Sequence, residues 1–249
     1  MFNLKIFKMK KSKILFALVI GLVMFSCSDD DDNSMVETQS ITEEEAVGIV
    51  EKSLSEESAG LEETTYEYAQ TYEQEVSQNV QCNQQVTDSY MYSYNGTLVQ
   101  ASYDFNWDYT ITCNAFNVPQ SATFNSSGSG TYSTPRIDSD DSSTFMATVT
   151  GLQPTSSVLT YNATYERVGT QQLTTNQTTR TVTSDFDATL VDLIVGKSDY
   201  EIDSGTGTFT LTGSTNQGNF SYNGSIVFNG NQTATLTING NQYTIDLNQ

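Results

Sequence analysis

From Val86 to Cys113 the chain alternates between large apolar and small polar positions, the period of a half-buried β-strand. Asn95-Gly96 interrupts the run and predicts a two-residue hairpin turn, with Tyr94 opposite Thr97, Tyr92 opposite Val99 and Tyr90 opposite Ala101. One face then carries Tyr90, Tyr92, Tyr94, Val99, Tyr103, Phe105, Trp107, Tyr109 and Ile111, and the other Ser89, Ser93, Ser102, Asp104, Asn106 and Asp108. Further strands are expected at 144–150, 158–168, 178–195, 207–212, 219–228, 233–238 and 242–247. Asn229-Gly230 and Asn239-Gly240 mark the last turns. Stretch 178–195 changes parity after Leu190, which predicts a bulge near Leu190–Val191.

Helical spacing occurs only near the N-terminus. Thr42 and Glu45 form a capping box, and Ala46, Val47, Val50 and Leu54 lie on one helical face. Gly60 is a natural stop, so a helix over about 42–59 is expected. Gly48 costs that helix about 1 kcal/mol relative to alanine. In 61–81, Tyr68, Tyr72, Val76 and Val80 fit either a helix or a strand; their shared parity with Cys82 favours a strand. Segment 117–143 has the composition of a loop, through SSGSG and TPRIDSDDSS, with short strands near 121–124 and 130–133. The expected fold is mainly β. It is an antiparallel meander forming a sandwich or an open half-barrel, with one short N-terminal amphipathic helix in a single domain over 41–249.

The N-terminus adds an address. Lys5, Lys8, Lys10, Lys11 and Lys13 precede an apolar run from Ile14 to Phe25. That run is shorter than the roughly 20 residues a spanning helix needs and has the length of a signal-peptide core. Ser26-Cys27 closes it, and Ser28-Asp29-Asp30-Asp31-Asp32 follows. A small residue before cysteine at this position resembles the lipobox of bacterial lipoproteins, and the acidic run is similar to the export signal of Bacteroidota-type surface lipoproteins. The resemblance implies that 1–26 is removed, that Cys27 carries acyl chains such as palmitate, and that 27–40 is a lipidated acidic tether. It places the domain on the outer membrane, exposed at the cell surface. The body resembles other β-rich surface lipoproteins in texture, and that likeness implies no activity.

Charge narrows the partners. Losing 1–26 removes five of the ten basic residues and none of the thirty acidic ones, taking the formal net charge from −20 to −25. Such a polyanion repels phosphate backbones, so nucleic acid is excluded as a partner. The chain has no histidine, which removes histidine-based triads, dyads and metal sites. With Cys27 lipidated, Cys82 and Cys113 read as one disulfide, worth roughly 3–4 kcal/mol in the chain-entropy model. The two-residue turn conflicts with this bond, because it sets Cys113 opposite position 78. Either the chain bends between Cys82 and Val86, the preferred solution, or Asn95-Gly96 is not the tight turn.

Two candidate sites remain. Tyr103, Phe105, Trp107 and Tyr109 are core if buried, the favoured reading, or a stacking platform for sugar rings if exposed. Asp138, Asp140 and Asp141 offer oxygen ligands for calcium if they share a loop, although a solvated acidic loop is the commoner meaning. The expected function is a surface-anchored, non-catalytic binding or structural module without a cofactor, whose ligand is a glycan or a protein. The first alternative is a carrier of lipid or another apolar ligand, held in a cavity between helix and sheet. A two-carboxylate glycoside hydrolase comes third.

Overall fold

The computed structural model describes residues 39–77, 80–175 and 178–248. Cys27 and nearly all of the acidic tether lie outside these residues. Two helices come first, α1 (Glu43–Leu54) and α2 (Leu61–Thr71), the second running on through a π-helical turn over Tyr72–Val76. Ten strands follow: β1 (Gln85–Asn95), β2 (Gln100–Cys113), β3 (Pro119–Ser133), β4 (Ile137–Thr150) and β5 (Val158–Thr175). The rest are β6 (Thr178–Gly196), β7 (Ile202–Thr215), β8 (Gly218–Gly230), β9 (Thr233–Ile238) and β10 (Asn241–Asp246). They form one antiparallel sheet in strict chain order, β1 to β10, open at both edges. The meander is therefore a single open sheet, not a sandwich.

The capping box forms: the Thr42 hydroxyl accepts from the Glu45 amide, and the Thr42 amide donates to the Glu45 carboxylate at 2.9 Å. The helix stops five residues short of expectation, at Leu54, because Ser55 turns into extended backbone. Gly60 caps the start of α2 instead of ending α1. A Cβ there would fall 2.6 Å from the Ser53 carbonyl oxygen, so only glycine lets the two helices meet this closely. Over 61–76 the strand expected for 61–81 is thus corrected to a helix. The four-residue spacing of Tyr68 and Tyr72 was the true signal, and both rings are buried. The shared parity with Cys82 was accidental, since Asn83, with φ 59°, turns the chain before β1 starts.

The β1–β2 turn is also corrected. Asn95 pairs with Gln100 and Tyr94 with Ala101, so the loop is Gly96–Val99, closed by the Gly96 amide donating to the Val99 carbonyl at 2.9 Å. This moves the register by four residues. Four is even, so every side chain keeps its expected face. The same shift resolves the disulfide conflict: carried outward from Gln85 opposite Thr110, the register brings Cys113 to Cys82. The bond forms with Cα atoms 5.6 Å apart. At the other end, Asn239-Gly240 is the expected two-residue turn, with positive φ at both positions. Its neighbour is not Asn229-Gly230 but Asn231-Gln232, displaced by a bulge at the end of β8. The bulge expected in β6 lies between Val191 and Ile194.

Segment 117–143 is mostly strand, not loop. β3 puts Ser126, Gly128 and Gly130 opposite Trp107, Phe105 and Tyr103 of β2. A Cβ on Gly128 would lie 2.2 Å from the Phe105 ring, and one on Gly130 2.1 Å from the Ser102 carbonyl oxygen. The small residues are the complement of large rings on the neighbouring strand, which composition alone cannot show. The inner face of the sheet packs against the helix pair. Tyr68 sits among Phe124, Trp107, Tyr109 and Tyr161, with its ring centroid 4.2 Å from that of Phe124. Tyr92 of β1 donates to the Glu56 carbonyl, whose own amide donates to Leu247 just past β10. The α1–α2 connection is therefore bonded to both ends of the sheet.

Candidate functional site

The chemistry-bearing side chains gather in two clusters beneath the helix pair and one on the opposite face. The first centres on Arg167 of β5, which points inward and is 4% exposed. Its Nε donates to Asp141 Oδ1 at 2.9 Å and its Nη2 to Oδ2 at 3.2 Å. The guanidinium also donates to the carbonyls of Lys52 and Ser58, each at 2.9 Å, so one side chain clamps the end of α1 and the α1–α2 connection to the sheet. Tyr103 donates to Asp141 at 2.9 Å and accepts from Arg167 at 2.6 Å, and Ser139 donates to Asp141 at 2.7 Å. The rings of Tyr103 and Tyr132 lie 5.3 and 5.1 Å from the guanidinium carbon. Burial is the largest single influence on Arg167 and opposes its charge, but Asp141 together with Tyr103, Tyr165 and Tyr132 outweighs it and holds the guanidinium protonated.

The second cluster has no such balance. Glu62 and Glu63 open α2 and are 2% and 4% exposed. Glu62 Oε1 accepts from the Ile202 amide of β7 at 3.1 Å, while its Oε2 is buried with no partner. Glu63 acts on Tyr90 and Tyr92 of β1. Burial pushes the Glu62 carboxyl up to about 8, helped by Glu56 and Glu201. It pushes Glu63 up to about 9, helped by Glu67, Glu56 and Glu62. Both are therefore neutral acids at neutral pH. Adjacent positions on a helix point different ways, one toward β7 and one toward β1. They do not face each other across a cleft as a glycosidase pair does.

The third cluster is on the outer face. Glu166 of β5 lies opposite Asp187 of β6, and Asp185 is two residues away. Their carboxylate oxygens lie within 4.8 Å of one another. Burial, then Asp187 and Glu166, raises the Asp185 carboxyl above the usual carboxylate range. No spacing rule joins residues on two strands, so this group was invisible in the sequence.

The residues singled out by sequence fall as follows. Tyr103, Phe105, Trp107 and Tyr109 are buried, between 1% and 9% exposed, and are core, not an open platform. Tyr68 packs edge-on against Trp107 and Tyr109, filling the space over that end of the row. Asp138, Asp140 and Asp141 lie in β4, not in a loop. Asp138 and Asp140 face outward and Asp141 inward, so the three carboxylates do not converge and the calcium arrangement is corrected. Cys82 and Cys113 are joined. Arg167, Glu62 and Glu63 were missed; a lone arginine in an alternating strand, at an inward parity, was the one available signal. No family model, no curated protein and no solved structure matches the chain.

Proposed function

We propose that the protein is a lipoprotein held in the outer membrane through Cys27, and that its β domain is a non-catalytic binding or structural module displayed at the cell surface. The anchoring half rests on the Ser26-Cys27 junction after a short apolar run and on the aspartates behind it. A Cys27→Ser variant should lose labelling by a palmitate analogue and leave the membrane fraction. Retention of both would sink the anchor.

The binding half rests on one observation, the outer face of the sheet. It is a broad, mainly polar surface of serine, threonine, asparagine, glutamine and aspartate, with Met91, Met146, Val168, Val191 and Val227 exposed among them. A trough of about 740 Å³ there is lined by Ser93, Gln100, Thr131, Asp138, Asp140 and Gln172. A second, of about 670 Å³, contains Asp108, held by Asn125 at 3.1 Å and by Gln85 at 2.9 Å. Hydroxyls and amides set in rows suit a ligand that itself offers hydroxyls or amides, as a glycan does. A glycan array probed with the protein tests this, with Asp108→Ala and Asn125→Ala as the surface variants. Silence across the array removes the glycan and leaves a protein ligand or a structural role.

A further inference from the structure

A small cavity lies between the first turns of α1 and the β4–β5 pair, apart from the outer troughs and both buried clusters. Its volume is about 230 Å³, and Gly48, Ile137, Leu173, Arg136, Glu44 and Glu45 line it. We infer that this cavity binds a free α-amino acid with an apolar side chain. The carboxylate would meet Arg136, the ammonium Glu44, and the side chain the wall of Gly48, Ile137 and Leu173.

Size gives the first constraint. Pockets for drug-sized ligands run from about 300 to 1,000 Å³, so this one suits a molecule of roughly ten heavy atoms or fewer. Gly48 gives the second. It sits inside α1, where glycine costs about 1 kcal/mol relative to alanine, yet a Cβ there would meet only Ile137 Cδ1, at an ordinary 3.9 Å. The fold does not require glycine at this position; a bare floor beneath a ligand does. Ile137 and Leu173 are cross-strand neighbours and supply a buried apolar wall beside it.

Charge gives the third constraint. Glu45 is already committed, to Arg180 and to the Thr42 amide. The Arg136 guanidinium has no hydrogen-bond or ion-pair partner among the described residues, and Glu44 forms no ion pair, although both line one cavity. Both side chains are exposed and solvated by water, so a monocarboxylic acid would gain a pairing with Arg136 alone and a simple amine with Glu44 alone. A zwitterion answers both.

Calorimetry and thermal shift with L-leucine, against 4-methylpentanoic acid and 3-methylbutylamine, test the proposal on the full-length protein. Leucine should bind and raise Tm, and each analogue, lacking one charge, should bind at least tenfold more weakly. Gly48→Ala should keep or raise Tm, which shows that the helix tolerates a side chain there. Gly48→Leu, filling the cavity, and Arg136→Gln, at an exposed position, should each weaken leucine at least tenfold. The proposal is overturned if leucine, valine and alanine give neither heat nor Tm shift at 10-millimolar order. It is equally overturned if the analogues match leucine, or if Gly48→Leu and Arg136→Gln both leave its affinity unchanged.

Discussion

Two polar clusters lie under the same pair of helices and differ in one respect, the presence of a counter-charge. Around Arg167 a buried cation faces a buried carboxylate, and its remaining donors go to two backbone carbonyls and a tyrosine. Around Glu62 and Glu63 the neighbouring charges are all acidic, and the carboxyls escape the cost of burial by staying protonated. The difference shows two ways of placing ionisable groups in a core. A paired group remains charged and acts as a strut, whereas an unpaired one gives up its charge and becomes sensitive to pH.

The largest expected effect comes from breaking the strut. Arg167→Met leaves Asp141 buried without its partner and frees the Lys52 and Ser58 carbonyls, a loss of about 3–5 kcal/mol by denaturant unfolding. The double variant Arg167→Met with Asp141→Leu should recover much of that loss, because an apolar pair removes the orphaned charge. If the double variant is no better than the single, the carbonyl clamp matters more than the ion pair.

The unpaired acids predict the opposite sign. Their folded carboxyls titrate at about 8 and about 9, above the usual carboxylate value of 4.5. The native state thus binds more protons than the unfolded chain between those limits. Stability is fully present below about pH 4.5 and falls as pH rises through 8 to 9. Glu62→Gln and Glu63→Gln should each stabilise the protein by about 2 kcal/mol at pH 9, do little at pH 5, and flatten the pH profile of Tm. A profile with no fall between pH 5 and 9 would contradict neutral burial of these acids.

The disulfide supplies a comparable and better-understood term. Cys82→Ala with Cys113→Ala should cost about 2–4 kcal/mol with no pH dependence, separating chain constraint from electrostatics. Smallest of all is the outer group. Asp185→Asn relieves crowding by Asp187 and Glu166 on a wet face, where screening limits the gain to about 1 kcal/mol or less. A gain there as large as at Glu63 would break the distinction between buried and exposed like charges.

The alternation around Tyr103, Phe105, Trp107 and Tyr109 named the inner face of β2 correctly, and the capping box placed the start of α1 to the residue. Both are short-range signals, a period of two and a contact three residues long. The errors share a different cause. SSGSG has loop composition, but it is strand because Phe105 and Tyr103 on the neighbouring strand take the room its side chains would need. Asp141 sits in an acidic run, yet parity turns it inward while Asp138 and Asp140 face water. Arg167 meets Asp141 across 26 residues of sequence and Ser58 across 109.

The meander beyond β4, the two faces of β1 and β2, the start of the first helix and the Cys82–Cys113 pair were determined by the amino-acid sequence itself, because periodicity and capping act within a few residues. The register of β1 on β2, the helical state of 61–71, the strut at Arg167 and the neutral acids at Glu62 and Glu63 were decided only by the tertiary structure. Each depends on what a side chain finds on a strand or helix far along the chain: a ring to fill the room, a counter-charge, or nothing but more acid.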